Sequence, residues 1–316
     1  MASLREIRGR IKSAKNIQQI TKAMKMVAAA RLRRSQDRML SARPYAQLIA
    51  KVLKEIAAHE ELGAHPLLQL RPGALTGAGT LRLVVFTADK GLCGAFNVNV
   101  LRKASQIIRE QKDKRRIELV AVGRKARDFF KHFGVPMVSE YVQLGLVQSP
   151  VAEAIAREQA EAYLSGAVDE VILLYTEFKS VISLKPVAVR LLPFEMNSLD
   201  LDGPWQLPTS APSRPAEKTA GASGQAFVAT GGPPAYEPDR AEVFNQLVPR
   251  AVSMQVWRAL LESQASEFAA RMTAMDNASR NSKELIGSLT LYANRIRQAA
   301  ITKEISELVG GAEALK

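Results

Sequence analysis

The strongest constraint on the fold of this chain is a stretch of sixty residues, 250–309, that contains no proline and one glycine, Gly287. Because both residue types weaken helix interiors, their near absence over this length predicts one uninterrupted α-helix. At 1.5 Å per residue such a helix would be about 90 Å long. Pro249 is expected to break or restart the helix before it, and Gly310 and Gly311 are expected to end it.

A second long helix is expected at residues 4–56, and both helices carry narrow apolar stripes. A narrow stripe held over many turns is typical of a coiled coil rather than of a helix on a globular domain. Pro44 should bend the N-terminal helix. The N-terminal stripe comprises Leu4, Ile7, Ile11, Ala14, Ile17, Ile20, Met24, Val27, Leu32, Met39, Ala42, Ile49, Leu53 and Ile56, and the C-terminal stripe comprises Leu285, Leu289, Tyr292, Ile296 and Ala299.

The two helices are expected to pair as an antiparallel, left-handed coiled coil of residues 1–56 with residues 250–309. Seam residues such as Ile11 and Leu289 should then be buried. Two long terminal helices with a compact middle between them indicate a shaft with a head, which suits a mechanical or scaffolding role.

The middle of the chain reads as a Rossmann-like α/β domain, because short apolar strands alternate there with helices. This alternation predicts a doubly wound, mostly parallel sheet. The last two strands are separated by about ten residues, which leaves no room for a crossover helix, so they should form an antiparallel hairpin at one edge. Strands are predicted at 81–87, 117–123, 168–175 and 187–192, and helices at 98–109, 124–133 and 151–165.

Changes in composition divide the chain into five segments. The fourth is rich in Pro, Gly, Ala, Ser and Thr, and it should be a mobile surface insertion because it cannot bury enough apolar area to order itself. Asp239 and Glu242 then form a capping box for the last helix. The segments are an N-terminal helix at 1–60, a linker at 61–80, the α/β domain at 81–197, a flexible insertion at 198–238 and the C-terminal helix at 239–316.

Positive charge is concentrated in the first helix. Residues 1–56 contain fourteen Lys or Arg but three Asp or Glu, so they carry +11 of the net +13. Such a helix fits a nucleic acid, an acidic membrane surface or an acidic protein partner. Tyr45 is its single aromatic residue, and the interleaved aromatics that would stack on bases are missing. The composition therefore counts against a nucleic acid as the partner.

No catalytic or cofactor site is evident. Residues 89–97 follow a strand and precede a helix, but they lack the three-glycine fingerprint, and no P-loop occurs in the chain. The single cysteine, Cys93, excludes an internal disulfide, and the three histidines are scattered. No apolar run is long enough to span a bilayer. The chain should be soluble, without a cofactor or metal, and any membrane association should come through partners.

Three motifs at the ends and in the middle of the chain carry a family resemblance. They are Ile-Gln-Gln-Ile-Thr-Lys-Ala-Met-Lys-Met-Val-Ala-Ala at 17–29, Asp-Lys-Gly-Leu-Cys-Gly at 89–94, and Ile-Thr-Lys-Glu-Ile-Ser-Glu at 301–307 with Gly-Gly-Ala at 310–312. They resemble motifs of the gamma subunit of F-type ATP synthases, the central rotor stalk. The cysteine pair of plant plastid members is missing from the insertion, which excludes a thiol switch of that kind.

The resemblance implies a non-catalytic rotor that couples ion-driven rotation of the membrane c-ring to the catalytic cycle. The implied partners are the hexamer of alpha and beta subunits, the epsilon subunit and the c-ring, with no nucleic acid. The implied location is peripheral, at the cytoplasmic face of a bacterial plasma membrane. An enzyme with a nucleotide domain and a coiled-coil nucleic-acid scaffold remain as alternatives, but the first lacks a phosphate loop and the second does not explain the C-terminal motif.

The resemblance also implies the contact residues. Met24 would face the catalytic ring, with plain core packing as the alternative. Polar residues near the C-terminus would contact a beta subunit, with a solvated helix face as the alternative, and an apolar tip would act as a bearing. The polar contact residues are Arg297, Gln298, Thr302 and Glu304, and the bearing residues are Ile305, Leu308 and Val309.

Overall fold

Two long helices at the ends of the chain flank an alternating series of strands and helices. The computed structural model describes residues 4–57, 65–132, 134–195 and 239–313. The predicted insertion at 198–238 lies outside these residues. In chain order the elements are α1 (Leu4–Ala57), α2 (Pro72–Thr76), β1 (Leu81–Phe86), α3 (Phe96–Gln111), β2 (Ile117–Val122), α4 (Arg124–Phe130), β3 (Met137–Tyr141), α5 (Ser149–Leu164), β4 (Glu170–Phe178), β5 (Leu184–Leu192) and α6 (Arg240–Glu313).

The C-terminal helix is longer than the sequence predicts at both ends. The expected break at Pro249 is wrong, because α6 continues through this residue. Proline leaves the carbonyl of Asn245 without its helical donor, and His65 donates a hydrogen bond to that carbonyl. The expected stop at Gly310 and Gly311 is also wrong, because neither adopts a left-handed conformation and the helix runs to Glu313.

The start of α6 and the extent of α1 follow the sequence more closely. The backbone N–H of Glu242 donates to Asp239 Oδ1 at 2.6 Å, so Asp239 caps the helix as predicted. Helix α1 also continues through a proline, Pro44.

The described strands form one sheet with the order β3-β2-β1-β4-β5. Neighbouring strands are parallel except β4 and β5, which pair antiparallel at one edge and confirm the predicted hairpin. Each helix and strand predicted between residues 81 and 197 is present, with its ends within three residues. Strand β3 is an addition to the predicted elements. It is five residues long and half-buried, so its apolar signal is weak.

The described residues divide into two compact units. The first, termed the coiled-coil unit, comprises residues 4–34, 91–94 and 267–313. The second, termed the α/β unit, comprises the described residues of 35–90 and 95–266.

One hydrophobic core of the α/β unit lies where α3 and α4 cover one face of the sheet. Alternate residues of β1 and β2, such as Leu83 and Leu119, point toward these helices. Arg82 points to the other face, where its guanidinium donates to Glu118 at 2.8 Å and to Gln159 of α5 at 3.4 Å. The predicted linker before β1 contains α2, and Asp169 packs against Gly79 there while accepting the N–H of Thr80 at 2.7 Å.

The coiled-coil unit pairs α1 and α6 in antiparallel fashion, as predicted. The guanidinium of Arg31 lies 5.8 Å from the ring centre of Phe268, and Lys25 Nζ lies 2.6 Å from Asp276 Oδ1. As residue numbers decrease along α1 from 31 to 25, those of the facing residues on α6 increase from 268 to 276, so the two helices run in opposite directions. The seam of α1 follows a strict seven-residue repeat, with Ile7, Ala14, Thr21 and Ala28 buried and Leu4, Ile11, Gln18 and Lys25 half-buried.

This repeat corrects the predicted stripes. Ile17, Ile20 and Val27 are more than half exposed, because Gln18, Thr21 and Ala28 hold the seam instead. The Thr21 hydroxyl can be buried there because it donates to the carbonyl of Ile17 at 3.0 Å.

On α6, Leu285, Tyr292 and Ala299 are likewise exposed rather than in the seam. Ile11 and Leu289, which the sequence predicts to be buried, are half-buried. The α6 seam comprises Phe268, Met272, Met275, Ser279, Ser282, Ile286, Leu289, Ala293 and Ile296.

Candidate partner interface

The last turns of α6 are the most accessible part of the coiled-coil unit. Glu6 and Leu289 line one cleft, so α6 reaches the N-terminal end of α1 near this point. Every side chain from Arg297 to Val309 is exposed. A single exposed helix of this length offers its whole circumference to a partner.

The two sides of this exposed helix differ in chemistry. At 100° per residue, the predicted contact and bearing residues of α6 fall within an arc of about 160°. The other side carries small residues and an ion pair between Lys303 Nζ and Glu307 Oε1 at 3.5 Å. The residues of the first side, termed the contact face, are Arg297, Gln298, Ile301, Thr302, Glu304, Ile305, Leu308 and Val309.

The contact face combines apolar and polar groups. Ile301, Ile305 and Leu308 recur at helical spacing, and Leu308 is 74% exposed. An exposed apolar stripe of this kind marks an interaction surface. The Thr302 hydroxyl donates to the carbonyl of Gln298 at 3.0 Å, so its proton is used within the helix while its oxygen can still accept from a partner.

A second exposed stripe lies on α1, where the sequence predicts seam residues instead of a surface. It consists of Ile17, Ile20 and Val27, with half-buried Met24 beside them. The sequence signal that could have identified it is the seven-residue repeat of Ile7, Ala14, Thr21 and Ala28, which assigns the seam to a neighbouring face. Met24 is thus accessible in part, which permits the contact predicted for it.

The motif at 89–94 forms a structural turn. Asp89 Oδ1 accepts the backbone N–H of Arg124 at 2.9 Å, which caps α4. In the coiled-coil unit, Arg271 donates to the carbonyl of Gly91 at 3.2 Å. Cys93 is buried. These contacts give the motif a structural role in the turn.

Metal-binding clusters and membrane-spanning helices are both missing from the described part of the chain. Within it, no group of three or more His, Cys, Asp or Glu side chains could hold a metal ion. None of the described helices combines the length and apolar character needed to cross a membrane.

Comparison with known proteins decides the family. The ATP synthase family model matches residues 3–315. The ATP synthase gamma chain of Anaeromyxobacter sp. (strain Fw109-5) is 47% identical, and that of Heliobacterium modesticaldum 46%, each over the whole length of both chains. The chain belongs to the ATP synthase gamma-chain family. Membership confirms the resemblance seen in the three sequence motifs.

Solved structures agree with membership of the gamma-chain family. The central stalk and c-ring structure of Tetrahymena thermophila mitochondrial ATP synthase contains a similar chain, with 27% identity and a TM-score of 0.54 over 82% of this chain and 99% of that one. The rotor of Euglena gracilis mitochondrial ATP synthase gives a TM-score of 0.59 at 18% identity, over 94% of this chain and 98% of that one. The second likeness concerns the fold alone.

Proposed function

We propose that this gamma-family chain is the central-stalk rotor subunit of an F-type ATP synthase. The observation that carries the proposal is the two-sided, exposed end of α6. A helix whose contact face differs from its opposite face interacts with a surrounding ring differently at each rotational angle. A chemically uniform helix would not distinguish the ring's subunits.

The rotor would work by differential contact. In the proposed complex, the tip of α6 lies inside a hexamer of alternating alpha and beta subunits. Ion flow through the membrane c-ring turns the rotor, and each catalytic beta subunit meets the contact face in turn. Because a partner shifts a conformational equilibrium only by interacting unequally with its states, this sequence of contacts drives each site through its cycle. The chain itself would contribute no catalytic residue to the enzyme complex.

The individual residues have distinct parts in this proposal. Arg297, Gln298, Thr302 and Glu304 form hydrogen bonds and ion pairs with a beta subunit, and Met24 adds a contact from α1. Ile305, Leu308 and Val309 form a bearing, because apolar groups can slide without the directional contacts that would trap one angle. The basic α1 faces acidic loops, so its contacts weaken as salt increases.

The α/β unit would bind the remaining partners, the epsilon subunit and the c-ring. Membrane association then comes through these partners, at the cytoplasmic face of a bacterial plasma membrane.

A single-molecule rotation assay tests the proposal. Ile182 is 97% exposed and Cys93 is buried, so an Ile182→Cys substitution offers one reactive thiol for attaching a bead. The chain is coexpressed with bacterial alpha and beta subunits, and the hexamer is immobilised. We expect copurification and unidirectional rotation of the bead when ATP is added. If the chain is retained on heparin at high salt and does not copurify with the alpha and beta subunits, the result would instead support the nucleic-acid scaffold.

A further inference from the structure

The middle of the coiled-coil seam is built from small and polar side chains. On α1, Ala14, Thr21 and Ala28 are buried, and on α6, Ser279 and Ser282 are half-buried. Such residues bury little apolar area, so their contribution to helix pairing is small. The seam between them needs another source of stability.

An open cleft lies along one side of the coiled coil at this stretch and toward the N-terminal end of α1. The cleft has a volume of about 650 Å³ and is lined from α1 and α6. Its lining includes Gly9, Ser13 and Ala14 on one helix and Ser282 and Leu289 on the other. The helices are therefore open to solvent on this side, while Ile7 and Ala14 stay buried in the seam.

An ion pair joins the two helices beside this stretch of small and polar side chains. Lys25 occupies a seam position, and its Nζ lies 2.6 Å from Asp276 Oδ1. The other carboxylate oxygen, Oδ2, lies 2.8 Å from Arg280 NH2, one turn further along α6. The hydrogen bond from Lys25 is the main cause that lowers the pKa of Asp276, with Arg280 adding to it. In contrast, Arg10–Glu6 and Arg271–Glu267 each lie within one helix.

We propose that the Lys25–Asp276 ion pair is a clamp that holds residues 4–24 of α1 against α6. A charged residue at a seam position specifies how two helices meet, which the small residues around it do poorly. If the chain is the rotor proposed above, the clamp also makes the two helices turn together, so that Lys25 and Asp276 are positioning residues for energy coupling.

Hydrogen exchange on the full-length chain tests the clamp. Lys25→Glu replaces attraction by repulsion, and amide exchange in residues 4–24 should accelerate by about fivefold, the upper end for an exposed pair. Exchange in α3, which lies in the α/β unit, should stay the same. The matched control is Arg280→Gln, which removes the partner of Asp276 on its own helix and should leave residues 4–24 unchanged.

The decisive variant reverses the charges of the ion pair. In the double variant Lys25→Glu with Asp276→Lys, the pair is reversed, and exchange in residues 4–24 should return to within about twofold of the original rate. The clamp is overturned if Lys25→Glu leaves exchange unchanged, if Arg280→Gln accelerates it equally, or if the reversed pair gives no recovery. These results do not depend on assembly with other subunits.

The same variants in the assembled complex test the coupling role. Lys25→Glu should lower ATP-driven ion pumping more than ATP hydrolysis, and the reversed pair should restore their ratio. An unchanged ratio, despite faster exchange, would overturn the coupling role. Failure of the chain to assemble with alpha and beta subunits would instead refute the proposed function.

Discussion

His65 donates a hydrogen bond to the main-chain carbonyl of Asn245, the group that Pro249 leaves without a helical partner. The other ring nitrogen, Nδ1, accepts the backbone N–H of Leu67 at 3.1 Å, which identifies Nε2 as the donor. The ring also meets Phe244 edge-to-face at 6.2 Å. One imidazole thus joins the segment before α2 to the first turns of α6.

Replacing His65 should therefore destabilise the fold. His65→Ala leaves the Asn245 carbonyl unpaired, and the free energy of unfolding should fall by about 1–3 kcal/mol. Urea denaturation measures this change, with the exposed His132→Ala as the matched control. In a Pro249→Ala background the helix regains its own donor to Asn245, so the same His65 substitution should cost less. An equal cost in both backgrounds would show that the imidazole does not compensate for the proline.

The same histidine predicts a dependence of stability on pH. Burial lowers the pKa of His65 below 6.5, while its bond to Asn245 partly opposes this shift. The unfolded chain therefore binds more protons between the folded pKa and 6.5, and the stabilising contribution present above pH 6.5 is lost as the pH falls through this window. Urea midpoints measured from pH 5 to 8 should show a step that His65→Ala removes. A step that persists in the variant would assign it to another group.

Gly79 should tolerate no side chain. A Cβ at this position would overlap the Asp169 carboxylate and lie 2.8 Å from Gly73 Cα. Gly79→Ala should lower the free energy of unfolding by about 1–3 kcal/mol, the range for overpacked sites. Gly287→Ala is the matched control, because open space surrounds this helical glycine and alanine there should add about 0.5–1 kcal/mol. Thermal unfolding of both variants distinguishes a crowded site from a general response to alanine.

The contact face predicts an effect on turnover. Replacing Arg297 and Gln298 together by Leu removes hydrogen bonds that contribute about 1.5–3 kcal/mol each when charged. ATP hydrolysis and synthesis should fall severalfold while the complex still assembles. The control replaces Lys303 and Glu307, on the opposite face, by Leu and should lower both rates less. Full activity of an assembled complex with both substitutions would show that Arg297 and Gln298 are only part of a solvated helix face.

The sequence predicts the elements that depend on local pattern and misses those that depend on distant partners. The α/β alternation and the edge hairpin are readable because their strands are short, apolar and close in sequence. The passage of α6 through Pro249 depends on His65, which is far away in the chain. The apolar pattern places Ile17, Ile20 and Val27 in the seam because their signal is stronger than that of Gln18 and Thr21, which hold the seam.

The candidate interface is predictable in location but not in shape. The C-terminal motif indicates the end of α6, and the helix then orders Arg297, Thr302 and Leu308 along one side. The position of this side relative to the N-terminal end of α1 is known only from the structure.

The exposed end of α6 has a consequence for how the subunit is made. An isolated helix of this length is marginally stable in water, since most helical stability in proteins comes from tertiary packing. Before assembly, the turns around Ile305 and Leu308 should fray and present apolar side chains to proteases and chaperones. Enclosure by a partner would end this exposure. The exposure that lets the tip contact a ring therefore also leaves it sensitive to proteases until assembly is complete.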